Sequence, residues 1–554
     1  MFSKASSLGL HAFFPPAAKP DTPSMRPILS SPNCSLSLCV LIALLVLCAP
    51  ALCAQEPAEG DTIVEEFIPL YKYRVYLKDK KGTPFSVKHP EVFLSEKAIA
   101  RRKRQGLKID QTDLPLNPAY VEAVRQTGVT ICHGSKWNNT LVVQTADTAL
   151  VQQTVAALPC VDSVLLVACY TRPLPADTTD RFALVGEEEP LRRSTEQRTV
   201  DDLFDRLSLT EGDSLWDDSL RIAKQVVTKA LAMQPPAPPS PAADSIDSPY
   251  GKGHEQIAQL GGLSLHEQGF RGQGIVIAIL DGGFYNADTI PALRHARIIG
   301  THDFVDTPLP IDVFAQASHG MMVLSCIAAN EPNELIGTAP EASFWLLRTE
   351  DTHSEQLVEE DNWAAAVEWA DSVGADVINS SLGYTHFDAP VPPVHYYELD
   401  GHTHLASRSA SLLAKKGMVL CNSAGNSADD RFKLIGSPAD ADDILAVGAV
   451  DADGQNTLFS SLGPTADGRV KPDVMARGGR SAVLSVRGNV TSANGTSFAS
   501  PTLCGLVACF WQANPSLTAL QVIEAVRSLG GNASHPDNVF GYGIPDFSSW
   551  STNR

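Results

Sequence analysis

From Tyr250 to the C-terminus, short runs of continuous apolar residues alternate with helical patterns, and this alternation narrows the fold more than any other feature of the chain. The strand-like runs are IVIAILD, ASFWLLRTE, DVINSSLG, MVLCNSAGN and ILAVGAVD; the helical ones are HGMMVLSCIAAN, NWAAAVEWADSVG, ASLLAKKG and the segment after Ser497. A strand that is apolar at nearly every position, rather than at every second one, is covered on both faces, as in a parallel sheet between helix layers. The predicted fold is therefore α/β: a doubly wound, mostly parallel sheet with helices on both faces. Ligands of such folds gather outside the carboxyl ends of the strands. The glycines of GFRGQG precede the strand IVIAILD, whereas a dinucleotide cradle follows its strand, so they read as a turn leading into the sheet.

Residues 65–170 carry a different pattern, β-α-α-β-β-α-β, in YKYRVYLKD, FLSEKAIARRKRQG, NPAYVEAVRQTG, VTICHGS, NTLVVQT, DTALVQQTVAALP and VDSVLLVA. The simplest packing is a small antiparallel sheet with helices on one face, a ferredoxin-like α+β unit. Residues 171–250, with acidic clusters and QPPAPPSPAADSIDSP, lack the periodicity needed for a core and read as a linker holding one amphipathic helix, LWDDSLRIAKQVVTKALAM. Near the start, Met25-Arg26, the apolar run from Leu36 to Leu47 and CAPALCAQE match the charged, apolar and cleavage regions of a signal peptide. Met25 is the expected start and Ala54 the expected end of the signal; Leu52 argues against lipid attachment at Cys53. The apolar run falls short of the roughly 20 residues of a spanning helix, so no membrane-spanning segment is expected. The divisions expected are 1–54, 55–170, 171–250 and 251–554, with a product that is secreted or held in the cell envelope. A net charge of −20 argues against a nucleic-acid partner, which would require a basic patch.

Three residues stand where a site on such a sheet would be built: Asp281 ends a strand, and His319 and Ser497 each open a helix. A hydroxyl is a weak nucleophile at neutral pH; it needs a base within reach, and the base needs an acceptor that fixes its tautomer. Taken singly, each residue has a commoner structural reading as helix cap or turn residue. The blocks GIVIAILDGG, SHGMMVLSCIAA, DVINSSLG, NSAGN and NGTSFASP, in this order, resemble the subtilisin-like serine proteases over about 300 residues. That resemblance implies a serine endopeptidase with Ser497 as nucleophile, His319 as general base and then acid, and Asp281 as its orienting carboxylate. It further implies that Asn426 donates to the oxyanion beside the Ser497 backbone N–H. Ser381, Leu382, Gly383, Ala424 and Gly425 match the strand and turn lining the family's substrate cleft, where a polypeptide pairs in extended form. Neither segment contains an acid, which leads us to expect an apolar rather than a basic side chain before the scissile bond.

Residues 65–170 occupy the place of the family's inhibitory propeptide. The stretches YRVYLKDKKGTPFSV, FLSEKAIARRKRQGL and LPLNPAYVEAV resemble the N-terminal regions of secreted Bacteroidetes subtilases. The implied partners are thus polypeptide substrates and the chain's own propeptide. Some residues depart from the pattern: Met321, Met322, Leu324 and Ser325 replace small or polar residues after the base, and Thr502 follows Pro501 where a histidine is common. No cofactor is implied; calcium stabilises many members, and no acidic loop here identifies a site. Four cysteines fall in the leading segment (Cys34, Cys39, Cys48, Cys53) and seven beyond it; Cys326, Cys421, Cys504 and Cys509 sit in apolar runs that suit buried thiols as well as bridges. His386, His395, His402 and His404 crowd one insertion and read as a solvated loop. Two other readings are a catalytically silent binding module and a serine transacylase that joins or cyclises peptides.

Overall fold

The computed structural model describes residues 69–170 and 248–550, apart from 390, 393 and 430–432. The expected signal region and the linker with its helix lie outside the described residues.

The N-terminal part builds strand β1 (Leu70–Leu77), helices α1 (Glu96–Arg104) and α2 (Pro118–Arg125), then β2 (Thr130–Ser135), β3 (Thr140–Thr145) and β4 (Val161–Tyr170). Ser95 caps α1 by accepting from Ala98 N, and Asn117 with Pro118 starts α2, the chemistry expected at helix N-termini. The strands pair antiparallel in the order β2-β3-β1-β4, the ferredoxin-like arrangement expected. The segment DTALVQQTVAALP forms one helical turn, Thr148–Leu150, that widens into a π-helical stretch, Val151–Val155.

The C-terminal part holds seven parallel strands: β5 (Val276–Asp281), β6 (Arg297–Asp303), β7 (Ser343–Arg348), β8 (Val377–Ser380), β9 (Val419–Ser423), β10 (Leu445–Val450) and β11 (Val474–Arg477). Their order is β11-β10-β9-β8-β5-β7-β6. Helices α3 (His319–Ala328), α4 (Val358–Val373), α5 (Thr496–Ala513) and α6 (Ala519–Ser528) flank it. The period of two along each strand sends alternate residues to opposite layers. Ile277, Ile279, Val377, Val419 and Cys421 share a buried cluster with α3 and α5, whereas Ala278, Leu280, Ile378 and Leu420 share another with Trp363 and Val367 of α4. This is the doubly wound sheet expected.

Three elements differ from the sequence reading. The edge strands β6 and β11 were not anticipated, because RIIGTHD is polar and half exposed and VMAR is only four residues long. ASLLAKKG is no continuous helix: a short helix, Leu405–Ala410, ends as it begins, and a 3-10 turn follows at Ala414–Lys416. Helix α4 starts four residues earlier than NWAAAVEWADSVG suggests, with Glu359, Glu360 and Asp361 in its first turn, where negative charge suits the helix dipole.

The described residues belong to one compact unit, and α4 joins its two sheets. Arg74 of β1 donates from Nε and Nη2 to the two carboxylate oxygens of Asp361, both at 2.7 Å. Glu368 accepts from the backbone N–H groups of Lys136 (2.6 Å) and Trp137 (3.0 Å) and from the Ser135 hydroxyl. Near the end of α4, Asp371 meets Arg101 and Arg102 of α1. Among the described residues no helix is long and apolar enough to cross a membrane.

Candidate active site

Asp281 lies at the carboxyl end of β5, wholly buried, and Gly282 N donates to its Oδ1 at 2.8 Å. His319 opens α3, and its Nδ1 stands 2.9 Å from Asp281 Oδ2 and 3.0 Å from Oδ1. An acceptor at Nδ1 holds the proton there and leaves Nε2 free of it, which is the tautomer of a general base. Helix α3 can approach β5 so closely because residue 320 is glycine: a Cβ there would collide with Gly283 O and with the Asp281 side chain.

Ser497 sits in the first turn of α5, 8% exposed. That turn is pinned to the end of β8: Ser381 Oγ donates to Ser497 O at 2.8 Å, and Ser500 Oγ donates to Asn379 Oδ1 at 2.9 Å. Phe498, next in the turn, packs tilted against the His319 ring with centroids 5.8 Å apart. The ring contact sets the first turn of α5 against His319, which holds Asp281 at the end of β5, and the Ser497 hydroxyl itself donates to Ser381 O at 3.5 Å.

Asn426 follows β9 through Gly425, whose φ of +106° favours glycine. Thr496 donates to Asn426 Oδ1 twice at 2.9 Å, from its backbone N–H and from its hydroxyl. A backbone N–H can only donate, so the amide oxygen must face Thr496, leaving Nδ2 to donate elsewhere. The Thr496 hydroxyl in turn accepts from Gly425 N at 3.2 Å. Thr496 was not singled out from the sequence; its place beside Ser497 in NGTSFASP was the available signal.

A cavity of about 180 Å³ adjoins these groups, lined by Ser497, Asn426, Ser381, Leu382, Gly383, Ala424 and Gly425. All five expected cleft residues thus share one cavity with the serine and the amide. The two segments hold no acid, but the expectation of an apolar rather than basic side chain before the scissile bond meets acids from elsewhere: Glu350, Asp351, Glu355 and Glu359 also line the cavity. They come from the end of β7 and the start of α4, remote in sequence from the two segments on which that expectation rested.

The remaining candidates resolve plainly. All seven described cysteines are free thiols. Burial pushes Cys326 up to about 12 and Cys504 well above its usual range, so these are inert packing groups. His404 is not solvated: its Nδ1 lies 2.8 Å from the buried Glu360, whose other oxygen accepts from Leu405 N at 3.0 Å. Among the described residues no group of three or more His, Cys, Asp or Glu is placed to hold a metal.

Residues 272–543 match the model of the subtilase family, and residues 72–180 match that of the peptidase S8 propeptide domain of Bacteroidota. Subtilisin NAT of Bacillus subtilis subsp. natto is 31% identical over 300 residues, covering 53% of this chain and 68% of that protein. The chain belongs to the subtilase family. The subtilisin of Bacillus pumilus is 30% identical over 300 residues, 53% of this chain and 94% of the relative. This subtilase is thus a serine protease of the subtilisin type preceded by a propeptide domain, as the sequence resemblance implied.

Proposed function

We propose that this subtilase is a secreted serine endopeptidase made as an inhibited precursor, with Ser497 attacking the peptide carbonyl to form an acyl-enzyme that water then resolves. His319 takes the hydroxyl proton and returns it to the leaving amine, Asp281 orients the imidazole and stabilises its charged form, and Asn426 Nδ2 with the Ser497 N–H receives the developing oxyanion. The helix start at Ser497 adds a favourable dipole for that charge. The observation that carries the reading is the contact of His319 Nδ1 with both oxygens of Asp281 beside the first turn of α5. A fluorophosphonate tests it: covalent labelling on Ser497 is expected once the propeptide has been removed, and an unlabelled serine in the folded mature enzyme refutes the reading.

The reading places a signal at residues 1–54, the inhibitory propeptide at 55–170, a linker cut at maturation at 171–250 and the protease at 251–554. It is supported by the path of the N-terminal part, whose last strand ends at the cleft. Tyr170 and Asp351 face one depression, Asp351 also lines the cavity beside Ser497, and Cys169 N donates to Gln356 Oε1 at 3.4 Å. The same part supplies groups that cap α4: Ser95 N donates to Ser372 O at 2.9 Å, and the Arg101 guanidinium donates to Asp371 O at 3.2 Å and to Ala375 O. Satisfying those terminal carbonyls is a means by which a propeptide helps a sheet of distant pairings to close.

Two outcomes follow for the mature enzyme. Asn426→Ala is expected to lower kcat by about 10² to 10³, the range reported for the matching donor of subtilisin itself, with KM little changed. Turnover is expected to fall on acidification, because a protonated His319 cannot accept the hydroxyl proton; a kcat/KM profile flat into acid would count against a histidine base.

A further inference from the structure

We propose that the acid-lined cavity beside Ser497 binds the cationic side chain, arginine or lysine, of a polypeptide substrate, on the acyl side of the scissile bond. This rests on the protease reading above. Glu359, 1% exposed, has its Oε1 engaged by Asp351 N at 2.9 Å, while its Oε2 is buried without a hydrogen-bond partner. Glu350, 5% exposed, accepts on Oε1 from the Thr349 hydroxyl at 2.7 Å and the Tyr384 hydroxyl at 2.9 Å. The charged groups acting most strongly on Glu359 are Glu350, Glu355 and Asp351, all of them acids. Burial and these like charges push Glu359 well above the usual carboxylate range, and burial with Glu355 and Asp281 nearby pushes Glu350 up to about 8.

Buried carboxyls crowded together, one of them with an oxygen that no donor reaches, are unfavourable, and a cation entering the cavity engages that oxygen directly. A metal ion is the poorer fit, since none of the described acids assemble with others into a metal-holding group. A side-chain cation brings its own donors, and the guanidinium fork can engage the orphan Oε2 and a second carboxylate together. The side of the bond follows from the lining. Ser497 and Asn426 face the cavity and His319 does not. The leaving amine must meet the imidazole, so the cavity lies on the other side, with the residues that precede the cleaved bond.

The test uses peptide pairs that carry arginine or its uncharged isostere citrulline at each of the positions preceding the scissile bond, run on the mature enzyme in parallel with fluorophosphonate labelling. At one position kcat/KM is expected to favour arginine about 10- to 100-fold, the worth of a hydrogen bond to a charged group. In Glu359→Gln that ratio is expected to approach one, and in Glu350→Gln to fall. The ratio is internal to each preparation and so is independent of the fraction that folds. A ratio near one at every position in the wild type, or an unchanged ratio in both variants, overturns the proposal. Loss of the arginine preference on adding calcium would assign the carboxylates to a metal and overturn it as well. If neither labelling nor cleavage of any peptide occurs, the protease reading itself fails and takes this one with it.

Discussion

Ser497→Ala in the full chain is expected to lower turnover by about 10⁶, the figure measured for subtilisin itself and carried over here. The same variant should accumulate as uncut precursor if maturation is self-processing, which N-terminal sequencing of the purified protein reads directly. The size of the loss follows from the chemistry. On the proposed mechanism no acyl-enzyme forms without the hydroxyl, and what remains is water attacking a carbonyl still polarised by Asn426 Nδ2 and the residue 497 N–H. The residual rate should therefore exceed the uncatalysed one by about 10³ to 10⁴. The pattern of non-additivity is as telling as the magnitude. Ser497→Ala combined with His319→Ala should be no slower than either alone, because the base has no function once its hydroxyl is gone. A double variant slower by the product of the single losses would mean that His319 acts independently of Ser497. Normal processing of Ser497→Ala would assign the maturation cut to another protease while leaving the turnover prediction intact.

The parts of this site legible in the sequence are those whose signal is local. IVIAILD, DVINSSLG, MVLCNSAGN and ILAVGAVD are apolar at nearly every position because β5, β8, β9 and β10 are covered on both faces, and their polar ends mark where the chain emerges to form the site. Asp281, His319, Asn426 and Ser497 all lie at such ends or at the helix starts that follow. The edge strand β6 lacks this signal, since an edge is paired on one side only and tolerates polar residues, whereas β11 is buried but, at four residues, too short to stand out. The acid wall of the cavity was illegible for another reason. Glu350 and Glu359 lie 31 and 22 residues before Ser381 and 74 and 65 before Ala424, and only the crossing of β7 into α4 brings them together. The same holds for the face of α4 turned to the propeptide. Asp361, Glu368 and Asp371 are spaced by seven and three residues, so they share a stripe, and alone that stripe reads as a solvated surface. Its partners Arg74, Lys136, Arg101 and Arg102 come from three separate elements more than 200 residues earlier.

That stripe sets the second large expectation: Asp371→Asn should destabilise the uncut precursor by about 3 to 5 kcal/mol, the usual consequence of removing one member of a buried ion pair. Asp371 is wholly buried, and Arg101 and Arg102 are each 1% exposed. Burial by itself would raise the Asp371 carboxyl, yet Arg101, Lys136 and Arg102 together hold it below the usual carboxylate range, so the charged form is the one the fold is built around. Arg102 retains Asp113 at 3.0 Å when Asp371 is neutralised, but Arg101 is left with backbone carbonyls alone. The deficit therefore falls chiefly on Arg101. Denaturant unfolding of the precursor, purified uncut in a Ser497→Ala background, measures it as a lower midpoint at unchanged slope. Adding Arg101→Met should restore much of the loss, because removing both members of a buried pair is far less unfavourable than removing one. If Asp371→Asn shifts the midpoint by less than about 1 kcal/mol, as an exposed pair would, the charges between α1 and α4 are not buried as described. If Arg101→Met deepens the loss rather than relieving it, the guanidinium acts mainly by capping the α4 carbonyls and only secondarily as a counter-ion.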